Sequence, residues 1–339
     1  MNPHPTPPLR LIYCGTPRFA VPPLEKLFAA GFLIDLVVTQ PDRPRGRGLE
    51  LTASPVKQCA LALGLPIAQP DKIKNNEDFR GQLAALKPNV IVVVGYGRLI
   101  PQWMLDLPPL GNINLHASLL PRYRGAAPIQ WAIARGESVT GVTTMRIDAG
   151  LDTGDILLQQ ELAISADDTS ETLSPKLSAI GADLLVKTLR GLQESSIHPR
   201  PQDHAVATLA PILKKEDGLI DFSQPAARIL DRLRGFQPWP GAYTTFRGKT
   251  LNVWQARVAE HSSVPTVPPG TLATASGRLF AGCGNNTALE LIELQLEGKK
   301  RTTARDLADA ADKPDRRIID SHILAAFLGR HDFYVQKTT

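Results

Sequence analysis

The stretch Gly111–Pro128, with the sequence GNINLHASLLPRYRGAAP, decides how the chain is interpreted. It opens as a β-strand that is apolar on one face, while the other face carries two amides and an imidazole, Asn112, Asn114 and His116. An internal strand of an α/β sheet is normally apolar on both faces, so this polar face is unusual. The pattern breaks at Ser118. Because open α/β sheets bind ligands at the carboxyl ends of their strands, we predict a functional site here.

The composition is that of an ordinary globular protein with a mild excess of positive charge. Hydrophobic residues make up 43% and charged residues 21% of the 339 residues, which suffice for two domains. The net charge of +5 fits an anionic partner without demanding one. The three cysteines are far apart and form no Cys-x-x-Cys motif, so we expect neither a disulfide framework nor a zinc site.

No apolar run approaches the length of a membrane span, and the amino terminus lacks the apolar core of a signal peptide. We therefore expect no membrane attachment and a cytoplasmic location, in a bacterium or an organellar matrix.

Short apolar runs alternate with helical patterns over residues 9–190. This alternation predicts an α/β domain with a mostly parallel sheet and helices on both faces. The predicted strands are Leu9–Cys14, Leu33–Thr39, Leu65–Ala68, Val90–Val94, the strand of the opening stretch, Val139–Ile147 and Ile156–Leu162.

The composition shifts near Gly191. Prolines mark 191–211 as a linker, and one helix, Ala226–Phe236, follows it together with several short strand-like runs. Many short strands with glycine turns predict a small antiparallel barrel over 212–330. We expect the ends of the chain, 1–8 and 331–339, to be tails.

Asn114, His116 and Asp152 form the predicted catalytic set. An amide can donate a hydrogen bond to a developing oxyanion, and an imidazole can hold or pass a proton at neutral pH. A carboxylate beside the imidazole fixes the orientation of the ring. Since no serine or cysteine lies in a motif that would activate it, we predict direct transfer between two bound substrates.

Two further motifs concern cofactors and phosphates. Gly15-Thr-Pro follows the first strand but lacks the later glycines of a dinucleotide motif, so we predict no nucleotide cofactor. The loop Gln40–Pro55 carries Arg43, Arg45 and Arg47, and these side chains either are solvated or contact phosphates. Basic residues recur among the aromatic residues of the second domain, as nucleic-acid binding would require, and they include Lys214, Lys215 and Lys249.

The chain resembles the folate-dependent formyltransferases. The resemblance rests on NINLHASLLPRYRGAAPIQ at 112–130 and GLDTGDIL at 150–157, and it extends from about residue 10 to residue 330. Gly15-Thr-Pro-Arg-Phe-Ala, Ser54-Pro-Val-Lys and Phe236-Gln-Pro-Trp-Pro-Gly narrow it to members that act on methionyl-tRNA. It implies a Rossmann-like catalytic domain, an OB-like carboxyl-terminal domain, and formyl transfer from 10-formyltetrahydrofolate to the amine of initiator methionyl-tRNA by a monomer without a metal.

The same resemblance implies roles for individual residues. Asn114 and His116 would flank the formyl carbonyl, and Asp152 would pair with His116. The folate would be held by residues of three segments: Ser118, Leu119, Leu120 and Pro121; Tyr96, Gly97, Arg98, Leu99 and Ile100; and Asp148 with Gly150. The loop with Arg43, Arg45 and Arg47, together with Lys214, Lys215 and Lys249, would contact the tRNA.

Two alternatives remain open. The first is a folate-dependent formyltransferase whose acceptor is a small amine, either glycinamide ribonucleotide or an amino sugar nucleotide. The second is a tRNA-binding module without catalytic activity.

Overall fold

The computed structural model describes residues 8–45, 50–260 and 267–305, without the side chains of Arg45 and Glu50. Contacts divide the chain into two units. Unit 1 holds the chain to Ile129, then Ser138–Ser165 and Thr172–Ile212, whereas unit 2 holds Gln130–Glu137, Ala166–Glu171 and the chain from Leu213. Most of the predicted tails and residues 306–330 lie outside the described part.

The strands and helices up to residue 193 follow the predicted alternation. The strands are β1 (Arg10–Gly15), β2 (Leu33–Val38), β3 (Arg43–Arg45), β4 (Glu50–Thr52), β5 (Ile67–Ala68), β6 (Val90–Val94), β7 (Asn112–His116), β8 (Val139–Arg146) and β9 (Ile156–Ala163). The helices are α1 (Val21–Ala29), α2 (Pro55–Ala62), α3 (Glu77–Leu86), α4 (Gln102–Leu105), α5 (Pro128–Ala134) and α6 (Ser170–Gln193).

Capping side chains fix where two of these helices begin. The Ser54 hydroxyl accepts the backbone N–H of Lys57 at 3.0 Å, and Pro55 supplies the first turn of α2. The Asn76 side chain accepts the N–H of Phe79 at 3.0 Å at the start of α3. These local contacts fix the first turn of each helix.

The sheet of unit 1 has seven strands in the order β5-β2-β1-β6-β7-β8-β9. The pairs from β5 to β7 are parallel, and the pairs β7-β8 and β8-β9 are antiparallel. The prediction of a mostly parallel sheet is confirmed. The direction of the last two strands was not predicted, because hydrophobic patterns do not record strand direction.

Helices pack on both faces of this sheet. Ile91 and Val93 of β6 pack in one cluster with Phe79 and Leu83 of α3 and with Met104 of α4. On the other face, α6 contacts β8 through a 2.8 Å hydrogen bond between the hydroxyls of Thr144 and Thr188. The polar residues of β7 share the face of Ile91 and Val93, with Asn112 at the amino end of the strand and His116 at its carboxyl end.

The loop predicted at Gln40–Pro55 contains a hairpin. Strands β3 and β4 pair antiparallel, with Arg43 opposite Thr52. Proline signals a loop in the sequence, but Pro44 is tolerated in a two-stranded ribbon because both strands are edges.

In its described residues, unit 2 combines antiparallel strands with a helix. It holds α7 (Ala226–Phe236) and the strands β10 (Ala242–Phe246), β11 (Lys249–Val258), β12 (Leu272–Ala275), β13 (Arg278–Cys283), β14 (Thr287–Leu296) and β15 (Thr302–Thr303). The order is β10-β11-β14-β13-β12, and β15 pairs with β14. The prediction of an antiparallel second domain is confirmed, while its closure into an OB-like barrel stays a prediction.

Candidate active site

Strand β7 presents its polar residues in two different ways. Asn112 is buried, and its Nδ2 donates to the carbonyls of Met104 at 3.0 Å and Leu105 at 3.1 Å. It therefore anchors α4. Asn114 is only half-buried, and within the described ranges its side chain has no hydrogen-bond partner. Of the two amides, Asn114 is the one that can donate to a substrate.

His116 is buried between two hydrogen-bond acceptors. Its Nε2 lies 2.9 Å from the carbonyl oxygen of Tyr123. Because a carbonyl can only accept, Nε2 carries the hydrogen. Its Nδ1 faces Oδ2 of Asp152 at 3.6 Å. Each ring nitrogen thus faces an oxygen atom, and the two contacts fix the orientation of the imidazole.

Asp152 lies in the turn between β8 and β9 with a φ of +52°, a left-handed conformation that few residues other than glycine adopt. Its Oδ2 accepts the backbone N–H of Gly125 at 2.8 Å. Oδ1 of Asp148 accepts the N–H of Gly150 at 3.0 Å and the hydroxyl of Thr153 at 2.7 Å. Asp148 and Gly150 thus form a turn that supports Asp152.

The predicted folate-binding turn, Ser118–Pro121, is held by hydrogen bonds to its backbone. Thr143 donates its hydroxyl to the carbonyl of Ser118 at 2.6 Å, and Gln159 donates its amide to the carbonyl of Leu120 at 2.9 Å. The Leu120–Pro121 peptide is cis. The two hydrogen bonds fix the backbone conformation of this turn, while the side chain of Leu119 is partly exposed.

Only part of the segment Tyr96–Ile100 is accessible to a ligand. The side chain of Tyr96 packs in the core of unit 1, and burial raises its pKa to about 12. Its carbonyl accepts hydrogen bonds from Thr16 and Gln40, both at 3.1 Å. Arg98 donates to Gln40 at 3.0 Å, whereas Leu99 is 90% exposed. Gly97 and Leu99 are thus the accessible part of this segment.

The cations predicted to bind tRNA fall in both units. Arg43 is exposed in β3, but the side chain of Arg45 and the whole of Arg47 lie outside the described residues. Lys214, Lys215 and Lys249 are all exposed in unit 2.

Two of these lysines lie near one carboxylate in unit 2. The pKa of Glu297 is lowered, first by hydrogen bonds from Thr250 and then by the charges of Lys249 and Lys215. Lys215 and Lys249 therefore both lie near Glu297, although 34 positions separate them in the sequence (249 minus 215).

The cysteines are unsuited to nucleophilic catalysis. Burial raises the pKa of Cys283 to about 12, and burial with a contribution from Glu25 raises the pKa of Cys59 to about 11. Burial also raises the pKa of Cys14. In the described part of the chain, no three His, Cys, Asp or Glu side chains are grouped as metal ligands, and no helix is long and apolar enough to cross a membrane.

Sequence reasoning left the role of Arg124 open and missed Gln202, although both hold the surroundings of Asp152. Arg124 and Gln202 are both buried and hydrogen-bonded to each other, and Gln202 also contacts the Asp152 loop. Gln202 lies in the stretch predicted as a linker. No pattern could have revealed it, because it acts through backbone carbonyls far away in the sequence.

The chain matches two family models. The model "Formyl transferase" matches residues 12–189, and "Formyl transferase, C-terminal domain" matches residues 212–311.

Curated relatives match over nearly their full length. Methionyl-tRNA formyltransferase of Koribacter versatilis is 63% identical over 90% of this chain and 98% of that protein. The protein of the same name from Acidobacterium capsulatum is 59% identical over 88% of this chain and 95% of that protein.

Among solved structures, an N-formyltransferase from Helicobacter canadensis in complex with folinic acid and dTDP-3-aminofucose is similar in fold. Its TM-score is 0.63 at 16% identity, over 84% of this chain and 98% of that chain.

Proposed function

The chain belongs to the methionyl-tRNA formyltransferase family, and from this premise we propose that it formylates the amine of initiator methionyl-tRNA with 10-formyltetrahydrofolate as donor. We further propose that it acts as a monomer in the cytoplasm without a membrane or a metal.

The residues around Asn114 fit a folate donor. The amide of Asn114 is free to donate, and two exposed apolar residues, Leu99 and Leu151, lie on the two segments assigned to the pterin. Apolar surface with a few placed polar groups is typical of sites that bind a flat heterocycle. The turn Ser118–Pro121 would supply backbone groups, and the turn around Asp148 and Gly150 would close the opposite side.

The donor supplies a formyl group bound to its N10 nitrogen. As the methionine amine attacks the formyl carbon, Asn114 donates its amide hydrogen to the oxygen on which negative charge develops. His116 donates its Nε2–H to the same oxygen in exchange for the carbonyl of Tyr123. Asp152 orients the ring through Nδ1. The bond between the formyl carbon and N10 then breaks, Asp152 helps relay the proton that passes from the amine to N10, and tetrahydrofolate leaves. Much of the catalysis is therefore positioning and charge stabilisation.

The acceptor assignment rests on the exposed cations. Arg43 in β3 of unit 1 and Lys215 and Lys249 of unit 2 would contact phosphates of the tRNA, together with Arg45, Arg47 and Lys214. A small amine requires no such set of exposed cations, and this difference favours the tRNA as acceptor.

One observation carries the proposed mechanism: the buried ring of His116 lies between the carbonyl of Tyr123 and the carboxylate of Asp152, two residues after the free amide of Asn114. We would incubate the chain with 10-formyltetrahydrofolate and charged initiator tRNA and measure formylmethionine. The expected result is formylation that falls in Asp152→Asn. Activity on glycinamide ribonucleotide or an amino sugar nucleotide alone would favour the small-amine reading, and tRNA binding without turnover would favour the inactive module.

A further inference from the structure

Gln202 is a buried side chain whose hydrogen bonds go to Arg124 on one side and to the turn of Asp152 on the other. It is 6% exposed, and its Oε1 accepts from Arg124 Nε at 3.1 Å and Nη2 at 2.7 Å. Its Nε2 donates to the carbonyl of Asp152 at 2.9 Å and the carbonyl of Gly154 at 2.7 Å. These four bonds use both lone pairs and both hydrogens of the amide.

The orientation of this amide follows from its partners. A guanidinium has only donors, so Oε1 must face Arg124. Backbone carbonyls have only acceptors, so Nε2 must face Asp152 and Gly154. In a flipped amide, Nε2 would face the N–H donors of Arg124, and Oε1 would face the carbonyl oxygens of Asp152 and Gly154. Gln202 therefore joins a buried cation to the turn that carries Asp152, and only in this direction.

Three consecutive residues complete the connection. The carbonyl of Tyr123 accepts the Nε2–H of His116, the guanidinium of Arg124 binds Gln202, and the N–H of Gly125 binds the carboxylate of Asp152. Gln202 then holds the backbone of the same Asp152. The carboxylate of Asp152 is thus held directly by Gly125. Its carbonyl is held by Gln202, which is in turn bound by the adjacent Arg124.

Asp152 requires such support because its φ of +52° is unfavourable for a residue with a side chain. Without the two bonds from Gln202, the turn can relax and move the carboxylate away from Nδ1 of His116. We propose that Gln202 is a positioning residue for formyl transfer, which holds the backbone of Asp152 so that its carboxylate faces His116. This inference rests on the proposed function.

A competing explanation is that Gln202 only provides an acceptor for the buried Arg124. Gln202→Glu separates the two. A glutamate keeps an acceptor for the guanidinium and adds an ion pair, but it loses both donors and turns oxygen toward the carbonyls of Asp152 and Gly154. A role confined to Arg124 therefore predicts full activity for Gln202→Glu, and a positioning role predicts a loss.

The test is the single-turnover rate of formylation at saturating 10-formyltetrahydrofolate and methionyl-tRNA. We expect Gln202→Glu to lower this rate by roughly 10- to 100-fold, because a displacement of about 1 Å in a catalytic group costs that much. The matched control is Gln160→Glu, the same change at an exposed side chain of β9, which should stay within about 2-fold of the wild type.

A second measurement distinguishes positioning from general damage. In an Asp152→Ala background, Gln202→Glu should change the rate by less than about 2-fold, because residues that act as a unit are not additive. An equal loss in both backgrounds, or a near-normal rate for Gln202→Glu alone, would overturn the inference. If thermal unfolding shows that Gln202→Glu is not folded, Gln202→Met replaces it in both backgrounds, and its loss of at least about 10-fold should disappear in Asp152→Ala. An inactive wild type would instead overturn the proposed function.

Discussion

The backbone N–H of Gly125 donates to Oδ2 of Asp152 over 2.8 Å, so a glycine orients the carboxylate of the proposed catalytic set. Gly125 has a φ of +117°, and a Cβ at this position would lie 2.7 Å from the carbonyl oxygen of Ala210. Both observations exclude a side chain here. The close approach to Ala210 also attaches the segment after Gln202 to the turn that contacts His116.

Gly125→Ala should therefore damage both stability and catalysis. We expect the free energy of unfolding in urea to fall by about 1–3 kcal/mol, since the left-handed conformation and the contact with Ala210 both become unfavourable. The formylation rate should fall with it. Gly81→Ala is the control, because Gly81 is exposed in α3 and a Cβ there meets nothing within 4 Å. It should stabilise the protein by about 0.5–1 kcal/mol. A Gly125→Ala protein of normal stability would contradict this reading.

Asn114→Ala should lower kcat by about 100-fold with little change in the folate dissociation constant, because it removes a donor to the developing oxyanion. Asn112→Ala, two positions earlier on the same face, is the matched control. It should leave kcat within a few-fold of the wild type, yet reduce the free energy of unfolding by about 1–3 kcal/mol, since the carbonyls of Met104 and Leu105 lose their donor. A kcat for Asn114→Ala near that of the wild type would refute its role.

Gln159→Leu should weaken folate binding. The change removes the donor to the carbonyl of Leu120 and so loosens the turn Ser118–Pro121. We expect the folate dissociation constant to rise about 10-fold, equivalent to roughly 1.4 kcal/mol. It can be measured by equilibrium titration. The neighbouring Gln160→Leu, at an exposed position, should not change folate affinity, and equal effects of the two variants would argue against a specific contribution of Gln159.

Tyr96→Phe should make the free energy of unfolding decrease less at high pH. Burial raises the pKa of Tyr96 from the usual 10 to about 12 in the folded chain. The contribution of the neutral Tyr96 to the free energy of unfolding is thus complete below about pH 10 and is lost as the pH rises from about 10 toward 12. At pH 7 the variant should be as stable as the wild type or more stable, because the buried Tyr96 hydroxyl lacks a partner within the described residues.

The measurement for Tyr96→Phe is urea unfolding at a series of pH values from 8 to about 11. The difference in stability between wild type and variant should be constant below about pH 10 and should grow in favour of the variant only above it. Parallel curves over the whole range would contradict the prediction.

Lys215→Ala and Lys249→Ala should each weaken tRNA binding in a salt-dependent way. If each lysine contacts one phosphate, the slope of log affinity against log salt should decrease in magnitude by roughly 1 per substitution. Filter binding at several salt concentrations measures this slope. Folate affinity should stay unchanged, and Lys187→Ala, an exposed lysine of α6 in unit 1, serves as the control. An unaltered slope in both variants would show that these lysines do not contact the tRNA.

The sequence by itself determined which segments form strands and helices. The bounds predicted for Val90–Val94 and Ala226–Phe236 are those of β6 and α7, because apolar periodicity is a local property of the chain. The sequence also singled out Asn114, His116 and Asp152, whose residue types limit the possible chemistry.

Only the tertiary structure decided how these residues are held. It separated the structural Asn112 from the free Asn114, turned the side chain of Tyr96 into the core, and brought Gln202 from a predicted linker to the Asp152 turn. Each of these outcomes depends on hydrogen bonds to backbone carbonyls or on packing between distant segments. A carbonyl is present at every position and leaves no mark in the sequence, so such contacts become visible only once the chain is folded.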